Sequence, residues 1–184
     1  TACDAGHATV EITHVVPPVP GWDGCRSADT NRAVNFGKWH RSRYVPGMPE
    51  RSLDDHQAIV ELTAVYCWAL DEKDFDRLHD VFLPEATARL GRSSQDGIDE
   101  IIDRVSTTLD RFVATQHMVS THLIEIDGDT AACRCYLYAQ HVRPEGEDPL
   151  LLTIGGRYED RLVRTADGWR IAHRALTSIW RTGE

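Results

Sequence analysis

The sequence predicts an α+β domain in which a curved antiparallel sheet wraps around N-terminal helices, a cone-shaped α+β barrel. Two observations carry this. Apolar residues recur at three- and four-residue intervals only up to about Phe112, and four long β-rich runs follow at 115–126, 130–142, 150–164 and 169–180. Those runs are joined by Asp127-Gly128-Asp129, by the polar loop 143–149 and by Ala166-Asp167-Gly168, connections short enough that successive strands must run antiparallel. A sheet with one apolar face has to bury it, here against the helices that precede it. Such a cone encloses space for a ligand.

In chain order, residues 1–52 differ in kind from the rest. They hold Pro17, Pro18, Pro20, Pro46 and Pro49, five of the eight prolines, and no apolar period, so they are expected to form an irregular tail before a domain at 53–184. At Leu53 the pattern changes: Asp54 or Asp55 is placed to cap a helix whose apolar positions are Ile59, Leu62, Tyr66 and Ala69/Leu70. Asp74 is placed to cap a shorter helix with Phe75, Leu78 and Phe82 on one side, stopped by Pro84, and a brief strand is expected at 86–90. After Gly97, the residues Ile98, Ile101, Ile102, Val105, Leu109 and Phe112 mark a third amphipathic helix.

Composition narrows the function. The 184 residues, 41% hydrophobic, suffice for one core, and 20 Lys+Arg against 29 Asp+Glu give a net charge of −9, which disfavours nucleic acid and anionic membrane surfaces as partners. No run approaches the roughly 18 apolar residues of a membrane span. The first residues lack the order of a signal peptide, and the expectation is a soluble, cytoplasmic protein. The five cysteines share no framework spacing, and Cys133 and Cys135 read as buried small hydrophobes rather than metal ligands, so neither a metal nor another cofactor is expected.

Alternation sorts the strand faces. In the second long run Ala131, Cys133, Cys135, Leu137, Ala139 and His141 face inward. In the third, Leu152, Ile154, Tyr158, Asp160 and Leu162 oppose Arg157, Glu159 and Arg161, and in the fourth Trp169, Ile171 and His173 oppose Arg170 and Arg174. The first run is ambiguous, because His117, Val119, Thr121 and Leu123 are about as apolar as Met118, Ser120, His122 and Ile124, and one bulge reverses either choice.

Asp71 stands at the C-terminal end of the first helix, where the dipole disfavours an anion. One explanation is that it holds an imidazole in the tautomer of a general base. The plainer alternative is that Asp71-Glu72-Lys73-Asp74 forms a solvated turn between helices. His117 and His141 taken singly read as histidines at strand ends, Tyr66 as helix core, and Asp160 and Arg164 as parts of a charged strand.

Residues 54–180 resemble the SnoaL-like family of the nuclear transport factor 2-like superfamily. The resembling segments are IVELTAVYCWALDEKDFDRL from Ile59, Phe82 to Ala86, Thr115-Gln116-His117 with its strand, Gly156-Arg157-Tyr158-x-Asp160, and Asp167-Gly168-Trp169-Arg170-Ile171. Within the superfamily the motifs are most similar to scytalone dehydratase and hexachlorocyclohexane dehydrochlorinase. The resemblance implies an Asp–His catalytic pair at Asp71 and His117, and a second histidine at His141, 24 residues beyond His117. Likeness to bile acid dehydratase adds Tyr66, five residues before Asp71. Leu70 stands where scytalone dehydratase has a tyrosine beside its Asp, and no tyrosine lies within 86–90, so the carbonyl-polarising tyrosines of that enzyme are missing.

The expected function is a cofactor-independent lyase of dehydratase type, or an isomerase or polyketide-cyclase-like enzyme. Trp68, Leu123, Cys135, Leu137, Ile154, Tyr158 and Trp169 are expected to line a pocket for a small hydrophobic or cyclic substrate. A non-catalytic ligand-binding module would keep the cavity without a close His–Asp contact, and a structural dimerisation domain would have no cavity. Open sheets of this class pair with partners, so a homo-oligomer is expected.

Overall fold

A computed structural model describes residues 50–183. The Pro-rich segment lies outside these residues, apart from the first turn of helix α1, Glu50–Asp71, which begins before the expected boundary at 53. Asp55 is therefore not a cap. Its carboxylate instead accepts two hydrogen bonds, 2.6 and 2.7 Å, from the Arg164 guanidinium and a third from Trp169 Nε1 at 3.2 Å. A 3-10 helix, Phe75–Asp80, replaces the expected second helix; Asp74 stands at its N-cap without a side-chain bond. After strands β1 (Phe82–Leu90) and β2 (Ser93–Asp96) comes α2 (Ile98–Leu109), which buries Ile98, Ile101, Val105 and Leu109. Strands β3 (Ala114–Asp127), β4 (Thr130–Val142), β5 (Leu151–Thr165) and β6 (Gly168–Thr182) complete the chain.

The six strands form one open sheet in the order β2-β1-β6-β5-β4-β3, curved around α1 and α2. The four long strands pair antiparallel as expected, but β1 lies parallel to β6, reached by the long crossover through α2 and the meander. Strand β2, four polar residues forming a hairpin with β1, carries too little alternation to be seen in the sequence. The concave face holds the predicted row of β4, with Ala131, Cys133, Cys135, Leu137, Ala139 and His141 all buried. The thiols of Cys67, Cys133 and Cys135 are unbonded, and burial pushes all three above the ordinary thiol range.

Two bulges overturn the simple alternation. On β3, Ser120 faces Tyr136 and Leu123 faces Arg134, so one extra residue is accommodated, with Thr121 at φ +57°. His117 and Val119 face inward before the bulge; His122, Ile124 and Ile126 do so after it, and His122 Nε2 meets Thr63 Oγ1 of α1 at 2.9 Å. Leu123 consequently turns outward and is 48% exposed. On β6, Leu162 faces Ile171 while Arg161 faces His173, leaving Ala172 as the extra residue. Arg174 is thereby swung inward, contrary to expectation, and His173 is left half-buried with Nδ1 2.7 Å from Thr87 Oγ1.

Arg174, with no exposed surface, pairs with Asp160 through two hydrogen bonds of 2.8 and 2.7 Å. Its guanidinium carbon lies 4.0 Å from the ring centre of Tyr66 and 4.3 Å from that of Tyr158. Among the described residues no helix is long and apolar enough to cross a membrane.

Candidate active site

The last residue of α1 and the first turn of β3 meet at one carboxylate. Asp71 Oδ1 lies 2.7 Å from His117 Nδ1 and accepts from Thr115 Oγ1 at 2.9 Å, while Oδ2 accepts from the His117 backbone N–H at 2.8 Å. Burial alone would raise the Asp71 carboxyl. The hydrogen bonds from the His117 ring, the His117 backbone and Thr115 outweigh it and hold the group below the ordinary carboxylate range. An ionised Asp71 fixes the ring with Nδ1 protonated and leaves Nε2 with its lone pair. Asp71 is thus not part of a solvated turn, and the dipole penalty at its helix end is offset by three donors.

His117 lines a cavity of about 310 Å³, open on one side, between α1, α2 and the concave sheet. His141 and Tyr66 lie on its wall, together with Leu137, Ile154 and Tyr158. The His117 and His141 rings are edge to face with centres 5.4 Å apart. His141 Nδ1 is 3.3 Å from the Leu152 carbonyl, and burial, reinforced by the charge His117 can acquire, depresses His141 to about 4. The imidazole is therefore neutral near pH 7, and the contact with the carbonyl requires Nδ1 to carry its proton. The Tyr66 and Tyr158 rings meet edge to face with centres 5.7 Å apart, and burial raises both phenols, so they act as donors rather than bases.

Four residues expected in this pocket lie elsewhere. Trp68 is 61% exposed and lines a groove of about 760 Å³ between α1 and β3, which Asp71 and His117 also line, so that His117 stands between this groove and the cavity. Leu123 was turned outward by the β3 bulge. Cys135 is packed in the core, and Trp169 is buried beside Asp55 under the Arg164 guanidinium, 4.4 Å from its ring. Inward orientation is not the same as lining a void, because α1 fills that part of the cone. Sequence reasoning missed the wall supplied by α2 and its C-terminal turn, Arg104, Thr108, Arg111 and Phe112. It also missed Thr115 as a donor to Asp71, although the Thr115-Gln116-His117 alternation puts the two side chains on one face. Among the described residues no cluster of three or more His, Cys, Asp or Glu side chains is arranged to hold a metal ion.

The buried histidines make stability acid-sensitive. Burial lowers His122 and His173 as well as His141. In each case the unfolded chain binds the proton more readily, so the stabilising contribution is present above about pH 6.5 and, for His141, is lost progressively down to about pH 4. The depressed Asp71 acts with the same sign at lower pH. Urea unfolding is expected to show free energy falling from pH 6.5 to pH 4, with a shallower slope in His141→Gln.

The model of a SnoaL-like domain matches residues 51–175. The uncharacterised protein Rv2910c of Mycobacterium tuberculosis is 33% identical over 132 residues, covering 70% of this chain and 88% of its own. Among solved structures, a candidate scytalone dehydratase from Novosphingobium aromaticivorans superposes with a TM-score of 0.68 at 22% identity, over 74% of this chain and 92% of that one. A type 2 hexachlorocyclohexane dehydrochlorinase, LinA, gives 0.65 at 17% identity, over 72% and 90%. At those identities the two structures speak to fold alone, and it is the match to the domain model across most of the described residues that decides the family: this chain belongs to the SnoaL-like family and has the nuclear transport factor 2-like fold.

Proposed function

We propose that the chain is a small-molecule lyase of dehydratase type that uses His117 as general base and Asp71 as its orienting partner. The observation that carries this is the 2.7 Å contact between His117 Nδ1 and Asp71 Oδ1 at the edge of a largely apolar cavity. His117 Nε2 removes a proton from a carbon beside an electron-withdrawing group. The electron pair forms a C=C bond, the C–O bond breaks, and the departing hydroxyl leaves as water with a proton from the Tyr66 phenol. His141, whose one ring proton is held by the Leu152 carbonyl, offers Nε2 as an acceptor that can hold the departing water. The apolar walls, Leu137, Ile154 and Phe112 among them, suit a ring or polyketide-like body. That a candidate dehydratase and a dehydrochlorinase share the fold is consistent with this chemistry.

An isomerase would use the same base and return the proton to a different carbon. A screen of cyclic hydroxy-ketones, polyketides and terpenoids in D₂O, read by mass spectrometry, separates these outcomes. Loss of water supports the lyase, and a shifted double bond or solvent deuterium without loss of water supports the isomerase. A compound that binds tightly and yields neither product nor deuterium exchange makes the chain a binding module.

The homo-oligomer belongs to the same proposal. The convex face presents Met118, Tyr138 and Trp180 in a cross-strand row, all exposed, with the Tyr138 and Trp180 rings 6.0 Å apart over Gly155. Light scattering is expected to give a multiple of the chain mass and a smaller one for Trp180→Glu.

A further inference from the structure

We propose that the substrate is anionic: an apolar body fills the cavity, and a carboxylate or phosphate group is held at its mouth by Arg104 and Arg111. This rests on the reading that substrate enters the His117 cavity. The charge distribution carries it. Residues 53–184 contain 14 basic and 24 acidic residues, yet the charged residues lining this cavity are Arg104, Arg111 and Arg181, with no carboxylate among them. Several arginines elsewhere on the domain meet acids, as Arg174 does Asp160, Arg164 does Asp55 and Asp129, Arg134 does Glu159, and Arg143 does Glu147. Arg104 and Arg111 form no ion pair among the described residues. In an acid-rich chain that pattern leaves two cations facing one opening.

The local geometry points the same way. Arg104 lies on α2 and Arg111 seven residues on, just past its end, a spacing that returns to the same side of a helix. Arg104 gives one hydrogen bond to Thr108 Oγ1, and its Nε is enclosed without a partner, a cost that an acceptor oxygen would relieve. The one acid adjacent to Arg111, Asp110, lies 3.7 Å from Lys73 Nζ instead. The Arg111 guanidinium sits 5.5 Å from the centre of the Phe112 ring, so a flat apolar body against Phe112 would bring its anionic group to that cation. Guanidinium groups suit either carboxylate or phosphate, through paired N–H donors.

The test is calorimetric titration of the full chain with 2-naphthoate, 2-naphthyl phosphate and the neutral methyl 2-naphthoate at low salt. At least one anion is expected to bind about tenfold or more tighter than the ester, an effect of the size that charged hydrogen bonds supply, and to lose that margin as salt rises. The better of the two anions identifies the headgroup. In Arg104→Gln/Arg111→Gln the preference is expected to vanish while the ester binds within about twofold of its original strength. Wild type that binds neither anion more tightly than the ester overturns the proposal, as does a folded double variant that keeps the preference. His117→Ala is expected to retain the anion preference and lose turnover. A neutral substrate turned over by a protein indifferent to charge would thus sink this inference and leave the base intact, whereas turnover surviving in His117→Ala would do the reverse.

Discussion

Asp71→Asn is expected to lower turnover by roughly three to four orders of magnitude while leaving ligand affinity within a few-fold, and His117→Ala to abolish turnover. The asymmetry follows from what Asp71 touches. The carboxylate accepts from the His117 ring, the His117 backbone and Thr115, and it contributes no wall to the 310 Å³ cavity. An amide in its place keeps the shape but offers an N–H where an acceptor is needed. The imidazole is then driven to the other tautomer, with its proton on Nε2, where the lone pair should be. Two measurements check this. Steady-state kinetics separate kcat from KM on whichever substrate the screen yields. Long-range ¹⁵N–¹H correlation spectra report the His117 tautomer directly and need no substrate; Nδ1–H is expected in wild type and Nε2–H in Asp71→Asn. A wild-type spectrum with the proton on Nε2 would falsify the assigned role of Asp71.

The second large effect concerns stability. Removing one member of the fully buried Asp160–Arg174 pair leaves the other as an uncompensated charge in the core, which costs about 3–5 kcal/mol. Domains of this size are stable by only about 5–15 kcal/mol, so Asp160→Ala should lose about a fifth of the total or more and about 10 °C or more of Tm. The double variant Asp160→Leu/Arg174→Met exchanges the pair for apolar groups of similar length and is expected to lose much less than the two single changes added together. Urea unfolding of wild type, both single variants and the double completes the cycle. Additive losses would show that the two charges do not depend on each other. Because Arg174 also lies beneath the Tyr66 and Tyr158 rings, the double variant should loosen that wall of the cavity even where the fold survives.

The features legible in the sequence are those with a sustained period: α1, α2, the four long strands, and the inward row of β4 that ends at His141. The Asp71–His117 pair was visible through resemblance, and the misplaced charge at a helix end pointed to it independently. The two reversed side chains, Leu123 and Arg174, share one physical origin. A bulge adds a residue without changing composition, so period-two arithmetic carries Leu123 inward and Arg174 outward although the backbone does the opposite at Thr121 and Ala172. A corrective signal existed. Alternation places Asp160 inward, and a buried carboxylate requires a cation, which the neighbouring strand supplies only by breaking its own alternation. The wall made by α2 was hidden for a different reason: Arg104, Thr108 and Arg111 look like the polar side of an amphipathic helix, and only the sheet curving over them makes that side an interior.

The extra residue at Thr121 also divides β3 into two lengths that can be edited separately. The first carries His117 and Thr115 to Asp71, and the second anchors Ile124 and Ile126 in the core. Deleting Thr121 would remove the extra residue and leave plain alternation, with Ser120 outward, His122, Ile124 and Ile126 still inward and both lengths on their present β4 partners, so the loss would fall on the local bend alone. The register of the second length is set by the Asp127-Gly128-Asp129 hairpin and that of the first by its pairing with the far end of β4. Substitutions upstream of Thr121 therefore retune chemistry, and substitutions downstream retune folding.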